Sequence, residues 1–167
     1  YTDHFLQFTP GSDVALLNAL LNVIVEEELY DQQYVEANTE GFDDFVTHIA
    51  NFSPDKMSPL CGIEADELRT VARKIASSGA AIIFWGMGIA QHTHGTDNAR
   101  CLIALALICG QIGRPGAGLH PLRGQNNVQG ASDAGLIPMM YPDYKFVTNL
   151  ESREKFESYW ESELNPE

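Results

Sequence analysis

Residues 80–88, Ala-Ala-Ile-Ile-Phe-Trp-Gly-Met-Gly, pass in one step from six apolar side chains to a glycine turn. A short apolar run closed by glycines reads as a buried strand ending at Trp85. After a loop to Gly95, Thr96-Asp97 cap a helix reaching Ile108, apolar nearly all round from Leu102 and so packed on more than one side. Strand, glycine turn, helix is the order of an α/β nucleotide-binding unit. The fold class expected is α/β, with a Rossmann-like dinucleotide-binding segment.

Working outward, Glu64 to Ser78 reads as an amphipathic helix with Leu68, Val71, Ala72, Ile75 and Ala76 on one face and Gly79 as its stop. Ser53-Pro54 to Pro59 reads as a loop, and Gln32 to Ala37 and Gly41 to Phe52 as helical stretches. Val14, Leu17, Leu20, Leu21, Ile24 and Val25 recur at helical spacing, opened by the turn Pro10-Gly11-Ser12-Asp13. Tyr1 to Phe8 alternates like a strand, which suggests an excised or processed chain; no targeting leader precedes it. Glu151 to Leu164, with Phe156, Tyr159 and Trp160, reads as a closing amphipathic helix.

The 167 residues carry 10 Lys and Arg against 23 Asp and Glu, a net charge of −13, with 44% hydrophobic residues. Such a chain can bury a core, and its acidity argues against a nucleic-acid groove or a polybasic membrane surface. The longest apolar run, Cys101 to Cys109, is far too short for a membrane span, and a cytoplasmic location is expected. The charge is uneven. Residues 1–80 hold 14 acidic and 4 basic side chains, whereas 81–150 hold only Asp97, Asp133 and Asp143 against Arg100, Arg114, Arg123 and Lys145. An anion would be handled in that near-neutral stretch.

Within it, half of the 14 glycines fall between Gly110 and Gly135, among the amides Gln111, Gln125, Asn126, Asn127 and Gln129. So long an irregular stretch, 110–142, with low charge reads as a binding loop for a polar ligand. Gly86-x-Gly88 suits close approach of a phosphate, but it lacks the third glycine of G-x-G-x-x-G, and a plain strand-end turn explains it as well. Gly11-Ser12-Asp13 has the same two readings. His92 and His94 have no third ligand nearby, and Cys61, Cys101 and Cys109 have no C-x-x-C spacing, so no metal site is expected. Arg123, in a glycine-rich loop without a neighbouring carboxylate, either forks onto an anionic ligand or salt-bridges a distant Asp or Glu.

Three blocks decide among these readings: residues 85–96 (WGMGIAQHTHGT), 110–116 (GQIGRPG) and 121–130 (PLRGQNNVQG). Together with residues 10–17 (PGSDVALL), they resemble the molybdopterin oxidoreductase family, and the last block most resembles the catalytic alpha subunit of formate dehydrogenases. The resemblance implies a fragment of a larger multidomain enzyme: 1–124 the C-terminal part of a molybdopterin-guanine-dinucleotide-binding domain, and 125–167 the start of an adjoining one. It implies bis(molybdopterin guanine dinucleotide) with molybdenum or tungsten, formate as substrate, a 4Fe-4S cluster elsewhere in the parent chain, and an electron-transfer subunit as partner. Gly11, Ser12 and Asp13 match the loop on the guanosine end of one dinucleotide; Met87, Gly88 and Gln91 match the loop on the pterin and phosphate side. Arg123 matches the arginine that orients the formate carboxylate, with Gly124 and Gln125 as cofactor-contacting neighbours. The metal-ligating Cys or selenocysteine and the cluster cysteines match nothing here, so the fragment alone is expected to be inactive. Ser132 and Ala134 also stand where relatives often have Cys and Met. A nitrate reductase-like relative and a non-catalytic nucleotide-binding module are the alternatives.

Overall fold

A computed structural model describes residues 2–165 as a helix-dominated α/β chain in two compact units, one ending at Leu122 and the next beginning at Arg123. The first unit is built round helix α1, Asp13–Glu26, which buries Leu16, Leu17, Ala19, Leu20, Leu21, Val23 and Ile24. Apolar side chains cover most of its circumference, so neighbours pack on several sides: α4 (Pro54–Cys61), α5 (Ala65–Ala76) and α7 (Gly95–Ile108). Two short helices, α2 (Gln32–Asn38) and α3 (Phe42–Ile49), add Val35 and Ile49 to the same core. The Arg73 guanidinium grips both Glu27 carboxylate oxygens, at 2.7 and 2.8 Å, joining α5 to the end of α1.

The strand expected at 80–85 is β1, Ile82–Trp85, and it is not buried on both sides. Ile83 and Trp85 pack on the core, while Phe84 is 60% exposed. Its partner, β2 (Gly118–Pro121), runs parallel in the register Ile82↔Gly118 to Trp85↔Pro121. Between them lie the short helix α6, Met87–Ala90, where a loop was expected, and α7.

The start of β1 is fixed by one side chain. Gln111, 2% exposed, follows α7. Its Oε1 accepts from the Ala81 N–H at 3.0 Å and its Nε2 donates to the Ser78 carbonyl at 3.2 Å. The amide expected to face a ligand is therefore spent on the backbone between α5 and β1. Arg114 adds bonds to the Gly79 carbonyl (2.9 Å) and to Asp31 (3.3 Å).

Three further expectations are corrected. Residues 2–8 form no strand; Leu6 and Phe8 pack on the core with Phe5 76% exposed, but no neighbouring strand bonds to them, and Tyr1 lies outside the described residues. Alternation alone records a one-sided surface, not a ladder. Residues 54–61 form α4 because Pro54 stands at its first position, where no N–H is needed, and Pro54, Met57 and Cys61 share a buried face. The stretch 110–142 is not one loop: it contains β2 and the helix α8, Val128–Asp133.

The second unit contains α8, the hairpin pair β3 (Met140–Tyr141) and β4 (Lys145–Phe146), a 3-10 turn at Pro142–Tyr144, and α9, Leu150–Trp160. Tyr141 lies 5.0 Å from Phe156 and 6.0 Å from Trp160 by ring centroids, forming its aromatic centre. Helix α9 ends at Trp160, four residues before the expected Leu164, and Tyr159 faces outward.

All three cysteines are free, and burial, with a smaller push from the Asp31 carboxylate, drives the Cys109 thiol up to about 11. Only the thiolate is nucleophilic, so iodoacetamide at pH 8 should leave Cys109 intact in the folded protein and label it after denaturation, as peptide mass spectrometry will report. Gln111→Ala should cost about 2–4 kcal/mol in urea unfolding, because it leaves the Ala81 N–H and the Ser78 carbonyl without their partner.

Candidate functional site

Three turns carry the expected site residues. The first precedes α1. Gly11 sits at φ +85°, a left-handed conformation that a side chain disfavours, and no atom lies within 4 Å of a Cβ built on it. Ser12 is the N-cap, yet its hydroxyl donates to the Thr9 carbonyl at 2.6 Å instead of accepting from the helix. Asp13 is the first helical residue and only 4% exposed, and among the described residues its carboxylate has no hydrogen-bonding or ionic partner. A carboxylate at a helix N-terminus is favoured by the helix dipole and remains an acceptor for an incoming N–H pair.

The second turn joins β1 to α7. The Gly86 carbonyl accepts from the Ile89 and Ala90 N–H groups, each at 3.1 Å, and so closes α6. The His92 ring donates to the Gly88 carbonyl at 2.7 Å, and buried Asn98 donates from its amide to the Ile89 carbonyl at 3.0 Å. Both histidines of the His-x-His pair are exposed; His92 holds the turn, and His94 is the N-cap position of α7. Among the described residues no three His, Cys, Asp or Glu side chains gather as a metal site. Met87 is 59% exposed, Gln91 is exposed with no side-chain hydrogen bond among the described residues, and Gly88 has open space where a Cβ would stand. The backbone is thus fixed while its outer side chains stay free.

The third group opens the second unit. Among the described residues Arg123 is the one arginine with no carboxylate within 4 Å; Arg69, Arg73, Arg100, Arg114 and Arg153 are all paired. The distant salt bridge left open by the sequence is not formed among the described residues. Arg123 Nη2 donates instead to Gln129 Oε1 at 3.3 Å. Gln129 Nε2 donates to Asp133 at 3.0 Å and to the Tyr144 hydroxyl at 2.7 Å, and that hydroxyl donates to Asp133 at 2.7 Å. The Tyr144 hydroxyl, then the Gln129 amide, lower the Asp133 pKa, and the same carboxylate raises that of Tyr144. Gly124 is exposed with no atom within 4 Å of a Cβ built on it, and Gln125 is exposed. The sequence reading missed Gln129, Asp133 and Tyr144 as a group. The spacing of Gln129 and Asp133, one helical turn apart, became informative only once residues 128–133 proved helical.

The glycines separate by cause. A Cβ at Gly95 would overlap the Ala90 carbonyl, whereas Gly88 has nothing within 4 Å. Gly95→Ala should therefore lower stability by about 3 kcal/mol or more, in the range of overpacked sites. Gly88→Ala, within a helix, should leave stability unchanged or raise it by up to about 1 kcal/mol. Thermal melts of the two variants check both.

Comparison with known proteins gives concordant results. A family model described as molybdopterin oxidoreductase matches residues 1–166. Formate dehydrogenase H of Escherichia coli is 42% identical over 98% of this chain and 23% of its own length. The F420-dependent formate dehydrogenase subunit alpha of Methanocaldococcus jannaschii is 41% identical over 99% of this chain and 24% of its own. A nitrate reductase of Synechocystis is 34% identical over a similar span. Among solved structures, acetylene hydratase from Pelobacter acetylenicus superposes with a TM-score of 0.65 at 28% identity, covering 69% of this chain and 16% of its own. The chain thus spans about a quarter of the length of the curated relatives it matches.

Proposed function

The chain belongs to the molybdopterin oxidoreductase family, and on that premise we propose that it is the cofactor-holding, substrate-orienting region of a formate dehydrogenase alpha subunit. The observation that carries this reading is Arg123: a guanidinium in an open, weakly charged loop, with no carboxylate among the described residues to neutralise it. Its planar fork suits the two oxygens of a small carboxylate.

The residues present fit a bis(molybdopterin guanine dinucleotide) group. Unpartnered Asp13 suits the N–H edge of a guanine, with Gly11 and Ser12 giving the close backbone approach at the start of α1. Met87, Gly88 and Gln91 suit the pterin and phosphate side, since the turn is internally bonded and open outward. Gly124 and Gln125 supply backbone and amide contacts beside Arg123. When bound, the group supplies a molybdenum or tungsten centre as two-electron acceptor. Formate oxidation yields carbon dioxide, one proton and two electrons, and the electrons leave through a 4Fe-4S cluster toward an electron-transfer subunit. Arg123 contributes orientation: holding both carboxylate oxygens points the C–H bond away from the guanidinium.

In this reading residues 1–124 form part of a Rossmann-like dinucleotide-binding domain and 125–167 begin the adjoining one. The activity is that of the whole enzyme. The likeness to a nitrate reductase supports a second reading, in which Arg123 orients another small trigonal anion.

In the full-length, cofactor-loaded enzyme, Arg123→Ala should lower kcat/KM for formate about 10²–10³-fold, as for loss of one preorganised charge contact, with metal and pterin content unchanged. Unaltered formate oxidation would remove the assigned role, and turnover of nitrate in place of formate would select the second reading. Gly88→Ala should reduce the pterin content of purified enzyme, while the Tm of the cofactor-free chain is not lowered.

A further inference from the structure

The second unit contains a hydrogen-bonded relay that ends on Arg123 and that substrate binding by itself does not explain. We propose that Gln129, held by Asp133 and Tyr144, is a positioning residue that fixes the Arg123 guanidinium for its small trigonal anion. The proposal rests on the role assigned to Arg123 above.

The geometry admits one orientation of the Gln129 amide. Its Nε2 has two protons and two acceptors, Asp133 at 3.0 Å and the Tyr144 hydroxyl at 2.7 Å. Tyr144 uses its own proton on Asp133 at 2.7 Å. Rotating the amide by half a turn would set its oxygen against the Asp133 carboxylate and its N–H2 against the guanidinium, so both ends would clash electrostatically. The amide oxygen is thereby aimed at Arg123 Nη2.

A neutral acceptor is what such a site requires. A carboxylate in place of Gln129 would lose both N–H bonds to Asp133 and Tyr144 and would neutralise Arg123, competing with the anionic ligand. The only carboxylate of the relay, Asp133, is kept one residue away and screened by the amide. The backbone is committed to the arrangement too. Asp143 and Tyr144 both lie in the left-handed region, at φ +61° and +54°, although neither is glycine. Such a conformation is disfavoured for a residue with a side chain and persists only when its surroundings enforce it. Here the turn carries the Tyr144 hydroxyl onto Gln129 and Asp133.

The test uses the full-length, cofactor-loaded enzyme, with nitrate as a non-reacting planar anion while the enzyme is oxidised and no reductant is present. Gln129→Leu should weaken nitrate binding by calorimetry about tenfold and raise KM for formate by a similar factor, with kcat, Tm and pterin content little changed. Asp133→Asn, which keeps an acceptor oxygen, should retain most of the affinity, whereas Asp133→Leu should match Gln129→Leu. Gln129→Glu should bind nitrate worse than Gln129→Leu, because it neutralises the guanidinium. In an Arg123→Lys background Gln129→Leu should cost less than twofold, since residues acting through one another are not additive. An equal cost in both backgrounds, or wild-type affinity in Gln129→Leu, overturns the proposal. If Arg123→Lys and Arg123→Ala also bind nitrate and oxidise formate normally, the role of Arg123 itself has failed.

Discussion

The Gln111 carboxamide is the constraint on which the first unit depends. Strand β1 is only four residues long and has a single hydrogen-bonded neighbour, so its own ladder cannot determine where it begins. Gln111 does so by satisfying a donor and an acceptor on either side of the α5–β1 junction, from a side chain that is itself buried. Because Gln111 follows α7, the two ends of the strand–turn–helix segment are tied together. Once the start of β1 is set, Gly86 and α6 fall where the Asn98 and His92 bonds can hold them. The exposed tips of that turn are therefore supported by the buried Asn98 amide and the His92 ring.

The acidity of the chain and its proposed anionic ligand are compatible once charge is followed through space. Most carboxylates of residues 1–80 are exposed or paired: Glu27 with Arg73, Glu67 with His4, Asp55 and Asp66 with Arg69. The exception is Asp13, buried and unpartnered among the described residues at a helix start. Among the described residues five of the six arginines are paired with carboxylates, which leaves Arg123 as a local positive site in a weakly charged loop. A single uncompensated guanidinium matters more to a small anion beside it than the net charge of the chain does.

Helix α5 was legible from sequence because its apolar residues repeat on one face, and α1 because apolar residues at helical spacing follow a turn, although α1 is covered over most of its circumference. Helix α4 was hidden by its two prolines, although one stands where a helix tolerates it. Strand β2 was hidden because Gly118-Leu119-His120-Pro121 has neither alternation nor β-branched residues; its pairing with β1 is a tertiary fact. At the candidate site, glycines and an isolated arginine could be read as chemistry from local pattern. Gln111 and Gln129 could not be told apart, since both are amides in one glycine-rich stretch. One is buried against the backbone and the other exposed beside a guanidinium. Burial and partner identity separate them, and neither is a property of the local sequence.

The parallel pairing of β1 with β2 has a kinetic consequence. Its partners are separated in sequence by the whole of α6 and α7, so closing the ladder requires a long loop to be ordered first. The contacts of α1 with α4 and α5 close loops at least as long, and of these helices only α4 and α5 are neighbours in sequence. The turn at residues 86–95 lies inside the loop that the ladder closes, so it is held from both ends only when β1 and β2 have paired. A partly collapsed chain would present Met87, Gly88 and Gln91 in no fixed relation, so capacity to retain a large ligand reports completed assembly rather than mere compaction.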